Sequence, residues 1–180
     1  GSRRDAIGGA AKSTCRPRAQ GALTAGVPGM AGIKCVGACD AWAEYARSMQ
    51  QAGAAALELN IFLLPTDRHA SAQQLEQAYA DIVRKVAAEV PIPVSVKLPM
   101  RLTNVLAVGD ALLARGARGV VLFNRFFEPD IDIEKMSFVA GDPFSEPSEL
   151  RNVLRSTALC APALPQLEVA VATGVHGGHA

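Results

Sequence analysis

Five short apolar runs set the rhythm of this chain from Val27 onward, and between them apolar residues recur every three or four positions. Gly29–Cys35 is the weakest run, short and diluted by glycine. Ala55–Asn60 (AALELN), Val94–Leu98 (VSVKL), Gly119–Asn124 (GVVLFN) and Leu167–Ala172 (LEVAVA) have the length and apolar continuity of buried strands. The intervening segments read as helices. Asp40 is placed to cap one whose inner face is Trp42, Tyr45, Ala46, Met49 and Ala52, with Gly53 just past its end. Ser71 with Gln74 three residues on makes a capping box for a second, which presents Leu75, Tyr79, Ile82, Val83, Val86 and Val90. Pro91 and Pro93 stop it. A third helix runs from Thr103 to Arg115 with Val105, Leu106, Leu112 and Leu113 inward and Gly116 at its end. The stretch Arg125–Glu146 reads as a long excursion, after which Pro147 opens a helix reaching about Cys160.

Strands buried on both faces and alternating with amphipathic helices predict an α/β fold with a parallel sheet. An open nucleotide-binding sheet would carry a glycine-rich turn after its first strand, and no G-x-G-x-x-G occurs here. Successive strands end instead in polar residues, the habit of a (β/α)₈ TIM barrel, which draws its chemistry from many strand ends. A whole barrel takes about 250 residues. Five strands therefore predict a partial barrel of about five βα units, from the middle of the full ring. Leu57, Leu59, Val94, Val96 and Val121 are expected to point inward and to lack an opposite layer. Two open strand edges then predict marginal stability or closure by a second copy, a homodimer.

Composition narrows the reading little. Lys and Arg number 18 against 17 Asp and Glu, so no global charge points to nucleic acid. No apolar stretch approaches a membrane span, and a cytoplasmic location is expected. Cys15, Cys35, Cys39 and Cys160 form no Cys-x-x-Cys pair, and no His completes a zinc signature, so no metal site is expected. Residues 1–26 are rich in Gly, Ala and Arg and show no period; they read as a leader, disordered or added, ahead of a domain over 27–180.

Four strand ends carry candidate chemistry: Asn60, Lys97, Asn124 and Thr173–Gly174. A lysine near the end of an apolar strand is tolerated where it faces a site. There it can hold negative charge on a reduced flavin or form a Schiff base with a carbonyl; the bland alternative is a lysine reaching to the rim. Asn60 and Asn124 offer donors and an acceptor to a planar amide or imide, or else cap the following loops. Thr173–Gly174 suits close backbone approach to an anion, or an ordinary turn.

The segments ALELNIFLLPTD, IPVSVKLP, GVVLFNRF, PDIDIEKM, PFSEPSELR and VATGVHGG together resemble the dihydroorotate dehydrogenase family over roughly Ile33 to Gly178. The resemblance implies an FMN-binding barrel domain that oxidises dihydroorotate to orotate in pyrimidine synthesis. It implies Lys97, Phe123, Thr173 and Gly174 as FMN-binding and Asn60 and Asn124 as binding the small-molecule substrate. The family's Cys or Ser base follows its L-N motif, and here Leu63 stands at that position, so the catalytic residue is unassigned; Thr66 and Asp67 are the next groups able to take a proton. Two other functions remain open. One is a Schiff-base aldolase using Lys97, which needs a proton-shuttling partner; Glu58, the available strand carboxylate, is expected to share neither face nor position with the loop after Asn60. The other is a non-catalytic barrel fragment.

Overall fold

The computed structural model describes residues 28–36, 41–63, 65, 67–125, 129–142 and 144–177. The leader expected over 1–26, the Asp40 cap and Thr66 lie outside the described residues.

Five parallel strands form one sheet: β1 (Met30–Val36), β2 (Ala56–Phe62), β3 (Val94–Pro99), β4 (Gly119–Asn124) and, after a hairpin, β7 (Glu168–Val171). Their spatial order follows the order along the chain, β1-β2-β3-β4-β7. A doubly wound open sheet reverses its strand order at a switch point, whereas a barrel adds each strand beside the last. The order and the helices between strands match the partial (β/α)₈ barrel expected from the sequence. Four helices supply the outer layer: α1 (Ala41–Gln51), α2 (Ala72–Glu89), α3 (Val105–Ala114) and α4 (Leu150–Ala163), the last entered through a 3₁₀ turn at Pro147–Glu149.

Local chemistry explains the boundaries. The Ser71 hydroxyl accepts from the Gln74 amide at 3.1 Å, and the Gln74 side chain accepts from the Ser71 amide at 2.8 Å, closing the capping box at α2. Helix α3 starts later than the pattern predicts because Asn104, not Thr103, caps it, accepting from the amides of Leu106 and Ala107. Gly53 and Gly116 take positive φ values of 88° and 100° just past α1 and α3, where a side chain would be strained.

The alternation within β2 and β3 decides the layout. Leu57, Leu59 and Ile61, and likewise Val94, Val96 and Leu98, are fully buried in one cluster with Trp42, Val83, Val86 and Leu112 from the helices. The expectation that Leu57, Leu59, Val94 and Val96 face an empty barrel interior is therefore corrected: they face the helices. Sequence alternation fixes which residues share a face but not which face a helix covers. Val121 is buried too, but it shares a register row with Asn60 and Lys97 on the other face. That concave face carries Glu58, Asn60, Ser95 and Lys97, all half-buried.

The excursion after β4 contains an unpredicted element, a two-stranded antiparallel hairpin of β5 (Asp130–Asp132) and β6 (Ser137–Val139). No described helix is long and apolar enough to cross a membrane.

Two outcomes follow from this layering. Leu59→Ala should destabilise the fold by about 2–5 kcal/mol in a urea titration, whereas Phe138→Ser on the exposed hairpin should stay within about 0.5 kcal/mol. Comparable losses at both sites would contradict the assignment of the core to the helix side. Burial on α4 raises the pKa of the Cys160 thiol above its ordinary value. Peptide mapping after iodoacetamide at pH 8 should therefore find Cys160 alkylated only once denaturant is added.

Candidate active site

Parallel pairing places concave-face residues in two rows across the sheet. One row is Gly32, Glu58, Ser95, Gly119 and Glu168; the next, nearer the strand C-termini, is Lys34, Asn60, Lys97, Val121 and Ala170. The rows adjoin an open pocket of about 390 Å³, lined among others by Met30, Glu58, Ser95, Lys97, Val121 and Glu168. Its floor is flat at Gly119, where a Cβ would stand 3.1 Å from the Glu168 carbonyl oxygen. The Ser95 hydroxyl donates to the Leu57 carbonyl at 3.1 Å and so ties β3 to β2 beneath the charged groups.

Lys97 Nζ lies 4.0 Å from Glu58 Oε1, and each side chain is 24% exposed. The expectation that Glu58 stands apart is thus corrected. Residues 58 and 60 are two apart on one strand and share a face, and register brings Glu58 diagonally next to Lys97 on β3. Farther along, Asn124 Nδ2 donates to Asn60 Oδ1 at 2.6 Å, a bond reaching from β4 to β2 across the intervening β3. This bond uses one donor and one acceptor of the amide pair, leaving others for a ligand. Lys97, Asn60 and Asn124 are therefore gathered on one face.

The other expected site residues are not. Phe123 is 3% exposed and belongs to the hydrophobic core. The Thr173 hydroxyl donates to the Phe123 carbonyl at 2.8 Å, and the Gly174 amide donates to Ser145 Oγ at 2.9 Å. A Cβ on Gly174 would collide with the Leu150 amide nitrogen, so this turn is pressed against the start of α4. A phosphate here would have to displace the Gly174–Ser145 bond and find room against the start of α4. Leu63 packs its side chain on the core. Burial raises the pKa of Tyr79 above the ordinary tyrosine value, and its hydrogen bond with the Leu63 backbone offsets part of that rise. Asp67 Oδ1 accepts from the His69 amide at 2.9 Å and shapes an exposed turn. Among the described residues no group of three or more His, Cys, Asp or Glu could hold a metal ion.

No protein-family model matches the chain, and no curated protein matches it. Solved structures do match. One, "PhdJ bound to substrate intermediate", is 18% identical with a TM-score of 0.44, over 80% of this chain and 43% of that one. Another, a phosphonopyruvate hydrolase, is 16% identical with a TM-score of 0.46, over 84% of this chain and 56% of that one. The chain thus spans about half the length of these structures. Neither is described as a dihydroorotate dehydrogenase or a flavoprotein. The expected membership of the dihydroorotate dehydrogenase family is corrected on that finding, and with it FMN and dihydroorotate. The geometry gives the physical reason: of the four expected flavin contacts, Phe123 is buried, Thr173 and Gly174 are spent on internal bonds, and Lys97 faces a carboxylate.

Free FMN should accordingly keep its full fluorescence when this protein is added in excess. Quenching that saturates at one FMN per chain would mean that the Gly174 turn opens to admit a phosphate.

Proposed function

We propose that the concave face supports aldolase-type lyase chemistry, with Lys97 forming a Schiff base to a small carbonyl substrate. The carrying observation is the Lys97–Glu58 pair at 4.0 Å on the wall of an open pocket. A proton passed from Lys97 to Glu58 gives the neutral amine that attacks the carbonyl carbon. The resulting carbinolamine loses its hydroxyl as water, taking a proton back from Glu58, and an iminium remains on Lys97. The iminium withdraws electrons from the neighbouring carbon–carbon bond, which can then break or form. The Asn60–Asn124 pair, bonded across β3, would hold a polar oxygen of the substrate. Residues 27–180 are read as the domain that carries this site.

Borohydride reduction in the presence of small aldehydes and ketones tests the proposal. A mass increase confined to the peptide containing Lys97, lost in Lys97→Arg, is the expected result. Glu58→Gln should slow adduct formation by about 10²–10⁴ without abolishing it, because the carboxylate moves protons and the amine makes the bond. Labelling spread over the exposed lysines at equal rates would make the pair a structural contact on a non-catalytic barrel fragment.

A further inference from the structure

The pocket beside Lys97 extends toward one edge of the sheet. Its lining crosses from Glu58 on β2 to Glu168 on β7, whereas Lys34, the cation next to Asn60 on β1, lies outside it. Two carboxylates against one ammonium leave the lining one negative charge in excess. Lys97 and Glu58 face each other at 4.0 Å, so the excess falls on Glu168. That residue is exposed, and among the described residues no ion pair or hydrogen bond engages its carboxylate.

The floor between Lys97 and Glu168 is clear. Ser95, Gly119 and Glu168 stand abreast in one row. A Cβ on Gly119 would lie 3.5 Å from the Cβ atoms of both neighbours and would fill that floor. The Ser95 hydroxyl is already given to the Leu57 carbonyl, so the row presents Glu168 as its free polar group on this side. Parallel strands about 4.8 Å apart, rising about 3.3 Å per residue, put Lys97 and Glu168 roughly 12 Å apart at Cα. Side chains on the inner face of a curved sheet converge, so about three methylenes close the gap between an imine carbon on Lys97 and a cation at Glu168.

We propose that this pocket selects carbonyl compounds that carry a cationic nitrogen, with Glu168 receiving the cation while Lys97 holds the carbonyl carbon. The inference rests on the Schiff-base reading of Lys97 and adds to it a substrate class and a specificity-determining residue. Iminium formation leaves the charge of the lining unchanged, because Lys97 stays cationic and Glu58 is ionised again once its proton leaves with water. A cationic substrate therefore brings the pocket to neutrality, and a keto acid would add a second uncompensated negative charge.

Two measurements on the full chain test it. In the first, borohydride traps the Lys97 adducts of three aldehydes, each with three methylenes between the aldehyde and a terminal group. The terminal groups are trimethylammonium, its neutral isostere tert-butyl, and carboxylate; a quaternary nitrogen cannot condense with an aldehyde. The cationic aldehyde should label Lys97 about tenfold faster than the anionic one, and Glu168→Gln should erase that preference. In the second, saturation-transfer NMR follows the trimethylammonium alcohol of the same length, which has no carbonyl to react. The protein should bind it, and Glu168→Gln should not, with circular dichroism checking that the variant is folded. Equal labelling by the three aldehydes, or a preference that survives Glu168→Gln, would overturn the proposal and leave the Schiff base standing. Faster labelling by the carboxylate aldehyde, lost in Lys34→Gln, would overturn it too and move the substrate's charge to β1. No Lys97 adduct with any aldehyde, beside Glu168-dependent binding of the alcohol, would sink the Schiff-base reading and uphold the cation site. Neither adduct nor binding would end both.

Discussion

The seating of the helices on one face of the sheet is the constraint from which the other features descend. Once Leu57, Leu59, Ile61, Val94, Val96 and Leu98 are committed to the layer beneath α1, α2 and α3, the alternate residues have nowhere to go but the concave face. Each buried apolar side chain contributes about 1.5–3 kcal/mol relative to exposure, so the commitment is strong. Polar residues are then held in rows by a layer that takes no part in their chemistry. Glu58 and Lys97 meet because their strands are in register, and the register is maintained by that apolar layer.

The concave face is arranged in levels along the strands. Ser95 spends its hydroxyl on the Leu57 carbonyl and stiffens the level nearest the strand starts. Glu58 shares that level, the ion pair links it to Lys97 in the next, and Asn60 beside Lys97 bonds to Asn124 at the strand end. Between Leu98 and Pro99 the pairing of β3 with β4 shifts by one residue, so Pro99 stands opposite Asn124. The shift lets Asn124 turn back toward Asn60, since strict alternation from Val121 would otherwise direct it to the helix side. One irregularity in the ladder thus completes the amide pair.

Much of this was legible in the sequence, and the failures have distinct causes. Apolar runs located the strands to within one or two residues, and Ser71 with Gln74 located the start of α2, because these signals are local. The gathering of Asn60, Lys97 and Asn124 followed from their common position at strand ends. The sense of the sheet did not, because a strand buried on one face and half-buried on the other reads much the same either way. Glu58 belongs with the site because it lies two residues before Asn60 on the same strand face, and only the pairing of β2 with β3 shows that Lys97 is its neighbour. The hairpin escaped notice because its strands are three residues long and expose apolar side chains, contrary to what burial patterns anticipate. Thr173–Gly174 had the composition of an anion-binding turn, but only the fold shows its bonds going to Ser145 and Phe123.

The two outer strands of the sheet also differ in how they resist misassembly. On β1, Lys34 is exposed near the middle of the strand, and adding another strand there would bring a foreign backbone against its charge. On β7 the single charge, Glu168, sits at the first residue, leaving Ala170 and Val171 exposed with no charged neighbour on the strand. Among the described residues the far end of β7 is therefore the less guarded of the two edges. A lysine in place of Val171 is the gatekeeper that this edge lacks, and it would prolong the protein's shelf life in concentrated solution.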